Sequence, residues 1–257
     1  MKSNPTNGYR IRLDALFRFK PNKSLIAVAI SYLAVIGFLS MATYVATPAH
    51  GMYYFLLYAV ACAGIAGIAT PFLWTLFVER KSLATLGITR KRIWWSLLLQ
   101  AIFVLFIQGE LMRTLQGKPW ERIVPLVALS LAIGFFEAVF WRGWLFQKLE
   151  SAFGIVPGML FGSALYAMFH IGYGMTGSEM VFLFFIGLMF CAAFMLTRNI
   201  FILWPVFQPM GQLITVAKEG LELPLIATLG FVEILTLFLV FALILTRKHK
   251  KMVKTTA

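Results

Sequence analysis

Residues Ala132 to Gly143 read Ala-Ile-Gly-Phe-Phe-Glu-Ala-Val-Phe-Trp-Arg-Gly, and Ser163 to His170 read Ser-Ala-Leu-Tyr-Ala-Met-Phe-His. Each stretch lies inside an apolar run long enough to sit in a bilayer, yet the first carries Glu137 and Arg142 and the second His170. An ionisable side chain within a membrane helix costs a few kcal/mol, roughly 2.5 to 3.5 on insertion scales, and is normally kept for a site, a pathway or a partner. The rest of the sequence is therefore read as a scaffold that holds these groups together.

Composition agrees with a membrane setting. The 257 residues are 60% hydrophobic and 13% charged, with a mean hydropathy of +0.84, against about 25% charged residues in an ordinary soluble domain. The net charge of +13 does not indicate nucleic acid, because the basic residues cluster at the ends of apolar runs, where they set topology. Cys62 and Cys191 fall within apolar runs and read as two small buried hydrophobes rather than a disulfide or zinc pair. Met1 to Lys23 is polar and basic and the first apolar run has spanning length, so no signal peptide is expected.

Apolar segments follow at Ser24 to Ala46, Met52 to Val78, Ile93 to Met112, Ile123 to Phe146, Ile155 to Tyr173, Met180 to Thr197, Ile200 to Val216 and Pro224 to Leu245. A helix needs about 20 residues to cross the hydrocarbon layer, so the expected fold is an all-α polytopic membrane protein of about eight spans. The sixth and seventh segments are short and nearly continuous. With every span crossing and the N-terminus inside, the inner loops hold most of the Lys and Arg, which places both termini in the cytoplasm of a prokaryotic-type plasma membrane. Domain limits follow: a basic segment 1–23, a membrane domain 24–246 and a basic tail 247–257. Between Tyr9 and Lys20, apolar and basic residues interleave before Pro21. That pattern fits a helix lying in the interface, and equally a disordered basic arm.

Several side chains invite a reading. Four-residue steps from Gly158 pass through Gly162 and Tyr166 to His170, a stripe that turns the histidine toward another helix. Glu137 lies roughly 15 Å from the inner end of its span and His170 roughly 22 Å from that of its own, at 1.5 Å per residue. The two are thus expected to meet. A carboxylate and an imidazole sharing a water form a general-base arrangement; a buried pair that only fixes packing is the alternative. Ser96 and Gln100 read as interhelical hydrogen-bond formers, Glu110 as an interfacial residue, Glu233 as a packed intramembrane carboxylate, and His50 and His249 as solvated.

The motifs resemble those of the CAAX protease and bacteriocin-processing family, the CPBP or Abi intramembrane endopeptidases. The family's Glu-Glu-x-x-x-Arg-Gly is matched by Glu137, Ala138, Arg142 and Gly143. Its Phe-x-x-x-His is matched by Tyr166 and His170, and its third motif, a His-x-x-x-Asn after a Pro, by Pro205, Gln208 and Gln212. Ser82 to Arg92 is similar to the basic loop before the family core, so the resemblance covers roughly Lys81 to Val216. It implies an intramembrane endopeptidase in which Glu137 is the general base and His170 its partner, Arg142 is structural or charge-balancing, and Gln208 and Gln212 stand where oxyanion donors belong. The expected partners are a membrane-associated protein or peptide substrate and the lipid bilayer, without nucleic acid. Ala138 lacks the second carboxylate and Gln208 replaces an imidazole, so neither metal nor another cofactor is expected. The same replacements motivate an alternative, a non-catalytic membrane scaffold or regulator. A small proton-coupled transporter relaying through Glu137, His170 and Glu233 ranks third.

Overall fold

The computed structural model describes residues 13–45 and 51–255. The expected interfacial helix lies partly outside them, as does His50. Its described part is a single turn, Leu13–Leu16, followed by an extended stretch in which the N–H groups of Arg18 and Lys20 donate to the carbonyls of Phe153 and Ala152 at 2.9 and 2.7 Å. Those carbonyls end a helix and lack intrahelical donors, so the segment extends to satisfy them instead of coiling.

Long helices α1 (Lys23–Tyr44), α2 (Met52–Val78), α3 (Ile93–Leu115), α4 (Trp120–Phe153), α5 (Ile155–Tyr173), α6 (Gly177–Thr197) and a last helix spanning Ala227–Arg247 are each long and apolar enough to cross a membrane. A shorter helix, α7 (Phe207–Lys218), precedes the last, α8 (Ala227–Thr255). Local chemistry marks their ends: Asn22 caps α1 by accepting from Ser24 N–H, and Thr176 and Glu179 form a capping box on α6. Gly154, at φ +92°, turns the backbone between α4 and α5, and a Cβ there would meet the Leu16 carbonyl oxygen at 2.5 Å.

About eight spans were expected, and among the described residues seven helices have crossing length. The seventh apolar segment is a short 3₁₀ turn at Ile200–Ile202, a non-helical stretch holding Pro205, and then α7, whose 12 residues reach about 18 Å at 1.5 Å each. It nonetheless passes from one end of the bundle to the other. Asn199 Nδ2 donates to the carbonyls of Thr89 and Lys91 at the end where Arg198 pairs with Glu150, whereas Lys218 pairs with Glu110 at 2.5 Å at the opposite end. Irregular backbone at membrane depth is tolerated where protein covers it, and Ile200, Ile202 and Leu203 are fully buried.

The two ends of the helical domain lie on one side of the bundle. Ser24, at the start of α1, donates to Glu79 just beyond α2, and Lys148 on α4 donates to both oxygens of the same carboxylate. α8 runs parallel to α2: Gly230 faces Phe55, and Phe241 stacks on Phe72 at 6.0 Å.

α4 is the central element, with 72% of its most apolar window buried. The predicted stripe on α5 faces it: a Cβ on Gly158 would meet the Glu150 backbone at 2.8 Å, and Tyr166 and His170 are buried. α3 is peripheral, and Ser96 and Gln100 are its buried residues. Neither makes the expected interhelical bond. Ser96 Oγ donates to Arg92 O in its own helix, as a serine mid-helix commonly does, and Gln100 Nε2 has no acceptor among the described residues. Glu233, expected to be packed, is exposed on α8.

Candidate active site

Glu137, Arg142 and His170 are the Glu, Arg and His side chains in the buried set of described residues, at 3%, 1% and 7% exposure. They are the three that the apolar runs singled out. α4 carries the first two across a change of helix type. Through Glu137 it is α-helical, and Ala138–Phe146 is wound as a π-helix. Five residues lie roughly 140° apart on an α-helix. The i to i+5 bonding of π turns brings such positions toward one face, so Glu137 and Arg142 point to the same side of α4.

The broken seventh segment supplies the partners. Trp204 Nε1 donates to Leu131 O at 3.0 Å and Pro209 sits over Gly134, where a Cβ would approach its ring at 2.8 Å. These contacts fix the start of α7 one turn from Glu137. Gln208, 1% exposed, donates from Nε2 to Glu137 Oε2 at 2.6 Å. The Tyr166 hydroxyl lies 3.5 Å from the same oxygen, and the Gln212 side chain, one turn further along α7, also reaches the carboxylate. The N-terminal end of α7 adds its partial positive charge near Glu137. The carbonyl oxygens of Gln208 and Gln212 have no donor among the described residues. The Gln208 amide N–H is thus directed at the Glu137 carboxylate.

His170 stands at the end of α5, where its Nδ1 is 2.9 Å from Tyr166 O. A carbonyl only accepts, so Nδ1 carries the proton and Nε2 keeps a lone pair. No hydrogen bond joins His170 to Glu137 among the described residues; Tyr166 stands between them, its ring 5.0 Å from the imidazole. Arg142 forms no ion pair with Glu137. Its guanidinium carbon lies 4.4 Å from the Tyr166 ring centre and 4.9 Å from that of Phe190.

Tyr166 and Phe190 are the residues whose roles sequence reasoning missed. The hydroxyl that Tyr166 adds at the Phe position of the second motif was a visible signal for the first; Phe190 is one aromatic among many on α6. A metal does not fit this set. No three of His, Cys, Asp and Glu cluster among the described residues, and Glu137 is faced by an amide N–H and a hydroxyl, donors that a cation would have to displace.

No curated protein and no solved structure matches this sequence. The family model described as Rce1-like, type II CAAX prenyl endopeptidase Rce1-like, matches residues 119–206. That stretch runs from the start of α4 through α5 and α6 and ends two residues before Gln208. The helices that carry Glu137, Arg142, Tyr166 and His170 are thus similar to those of the type II CAAX prenyl endopeptidases, in keeping with the CAAX-protease resemblance of the motifs.

Proposed function

We propose that this protein is an intramembrane endopeptidase of the CAAX protease type that hydrolyses a peptide bond of a membrane-associated protein or peptide. The observation that carries the reading is Glu137, a buried carboxylate near the middle of α4, held by Gln208 and facing the same side as Tyr166 of the stripe that ends in His170. Glu137 takes a proton from a water molecule, whose oxygen attacks the scissile carbonyl carbon. The carbon–nitrogen bond then breaks and the departing amine receives that proton. His170, with Nδ1–H committed to Tyr166 O, offers Nε2 to the second hydrogen of the water. Both ends of the helical domain are assigned to the cytoplasmic side on the strength of their Lys and Arg content.

The test compares new N-termini in membranes of cells expressing wild type, Glu137→Gln and His170→Ala at matched levels. Fragments made by wild type alone are expected, with a general base contributing about 10² to 10⁴-fold in rate. Identical fragments from purified wild type and Glu137→Gln would overturn the assignment. Absence of any cleavage by purified wild type would favour the scaffold reading, to which the 2.6 Å hydrogen bond from Gln208 onto the carboxylate also lends itself.

A further inference from the structure

We propose that the basic end of α3 binds an anionic phospholipid of the cytoplasmic leaflet, with the phosphate on Arg90, Lys91 and Arg92 and the acyl chains along the outer face of the helix. This surface is independent of the protease reading. Arg90, Lys91 and Arg92 are exposed, and none of them forms an ion pair among the described residues. Lys81, Lys148 and Arg198 at the same end differ, since they answer Glu79 and Glu150. Adjacent cations without a counter-ion repel one another, and an anion that neutralises them relieves the repulsion. Their backbone is held in place. Asn199, fully buried, donates from Nδ2 to the carbonyls of Thr89 and Lys91 at 2.9 Å each. Lys91 N–H donates to Thr89 Oγ1 at 3.1 Å, and Arg92 turns the chain into α3 at a left-handed φ of +58°.

The helix continues this surface with apolar groups. Trp94 and Trp95 follow at 81% and 64% exposure, where amphipathic rings sit among lipid headgroups. Leu98, Leu105 and Phe106 carry the exposed face onward, and 11% of the most apolar window of α3 is buried. From Trp94 to Phe106 the helix rises about 18 Å at 1.5 Å per residue, against about 15 Å for half of the hydrocarbon layer. One face of α3 therefore offers cations, interfacial rings and an apolar stripe in the order and length of a single phospholipid. Charge selects among the headgroups. A zwitterion brings its own cation to the surface and gains little, whereas a net negative headgroup gains about fivefold in affinity per neighbouring basic residue. The same loop receives Asn199, so the lipid seats on the element that anchors the start of the broken seventh segment.

Quenching of tryptophan emission by brominated lipids tests this in vesicles. The protein is reconstituted into phosphatidylcholine vesicles holding an equal mole fraction of either dibrominated phosphatidylglycerol or dibrominated phosphatidylcholine. The share of emission from Trp94 and Trp95 is the difference between wild type and Trp94→Phe/Trp95→Phe. That share should report a preference of at least about tenfold for phosphatidylglycerol. The preference should vanish in Arg90→Gln/Lys91→Gln/Arg92→Gln and persist in Arg90→Lys/Arg92→Lys. Both variants should keep the thermal midpoint of wild type, because the three side chains pair with no described carboxylate. Arg18→Gln/Lys20→Gln/Lys23→Gln removes the same charge from the same end of the bundle and should leave the preference in place. Equal quenching by the two lipids in wild type would overturn the proposal. So would equal losses in the two Gln triple variants, which would reduce the effect to attraction by net charge. Release of the brominated phosphatidylglycerol by inorganic phosphate, beyond that by chloride at equal ionic strength, would assign the surface to a free anion and overturn it as well.

Discussion

Gln208 and Tyr166 touch the same oxygen of Glu137 with very different strength. Gln208 donates over 2.6 Å from a fully buried position, whereas the Tyr166 hydroxyl stands at 3.5 Å, the outer limit of a useful hydrogen bond. A bond to a charged group contributes about 1.5–3 kcal/mol. Gln208→Leu should therefore slow cleavage roughly ten- to hundredfold, while Tyr166→Phe should change it by roughly threefold or less. Initial rates of fragment release from one membrane substrate at matched protein levels check both, and a larger loss in Tyr166→Phe than in Gln208→Leu would contradict the ordering. At this scale the legible part of the site was its charge. Glu137, Arg142 and His170 stood out because an ionisable group in an apolar run is costly. The hydroxyl of Tyr166, the ring of Phe190 and the direction in which the Gln208 amide points carry no such mark, since each suits a membrane helix equally well without a site.

Helix α4 is organised by what it must approach as much as by what it carries. Gly143 follows Arg142 in the π-wound stretch and lies against the 3₁₀ turn Leu83–Leu86, where a Cβ would meet the Leu86 carbonyl oxygen at 2.4 Å. The obstacle is backbone, which cannot rotate away like a side chain. Gly143→Ala should therefore destabilise the protein by about 1–3 kcal/mol, the usual range for overpacking, seen as a lower thermal midpoint in detergent. A midpoint equal to wild type would mean that the turn moves freely. Hydropathy made seven of the eight apolar segments legible as whole helices, because a span is a long apolar run and little else. It failed at Ile200 to Val216 for the same reason. A 3₁₀ turn, a Pro-bearing stretch and a 12-residue helix buried against α3 and α4 are as apolar as a spanning helix, and only Pro205 and Pro209 hinted at the break. The winding of α4 beyond Glu137 was likewise invisible, because π and α turns draw on the same residues.

Across the whole molecule, two layers of charged contacts hold the bundle at its ends, and they make separate predictions. At the basic end, burial tends to raise the Glu79 carboxyl, but hydrogen bonds from Lys148 and Ser24 and the charges of Lys148 and Lys81 outweigh it and hold the group below its ordinary range. A carboxyl lowered in the folded state stabilises fully above its unfolded value and loses that contribution as pH falls through the folded one. Wild type should therefore lose thermal stability on acidification below about pH 4.3 more steeply than Glu79→Gln; parallel curves would show that the cluster does not couple to folding. The other prediction concerns the path of the seventh segment. Positive charge in alternate loops favours an even number of passes, whereas the seven helices of crossing length among the described residues would by themselves put the two ends of the domain on opposite sides. The ion pairs reconcile the two, because Arg198 meets Glu150 at one end of the bundle and Lys218 meets Glu110 at the other. Single cysteines placed at Arg80, Arg198, Lys218 and Arg247, in a background lacking Cys62 and Cys191, should divide into two classes toward a membrane-impermeant thiol reagent. The cysteine at 218 should react from one side of sealed vesicles, and those at 80, 198 and 247 from the other. Labelling of 198 and 218 from the same side would mean that the segment turns back, and Gln208 would then have to reach Glu137 by a different route from the one that α7 takes.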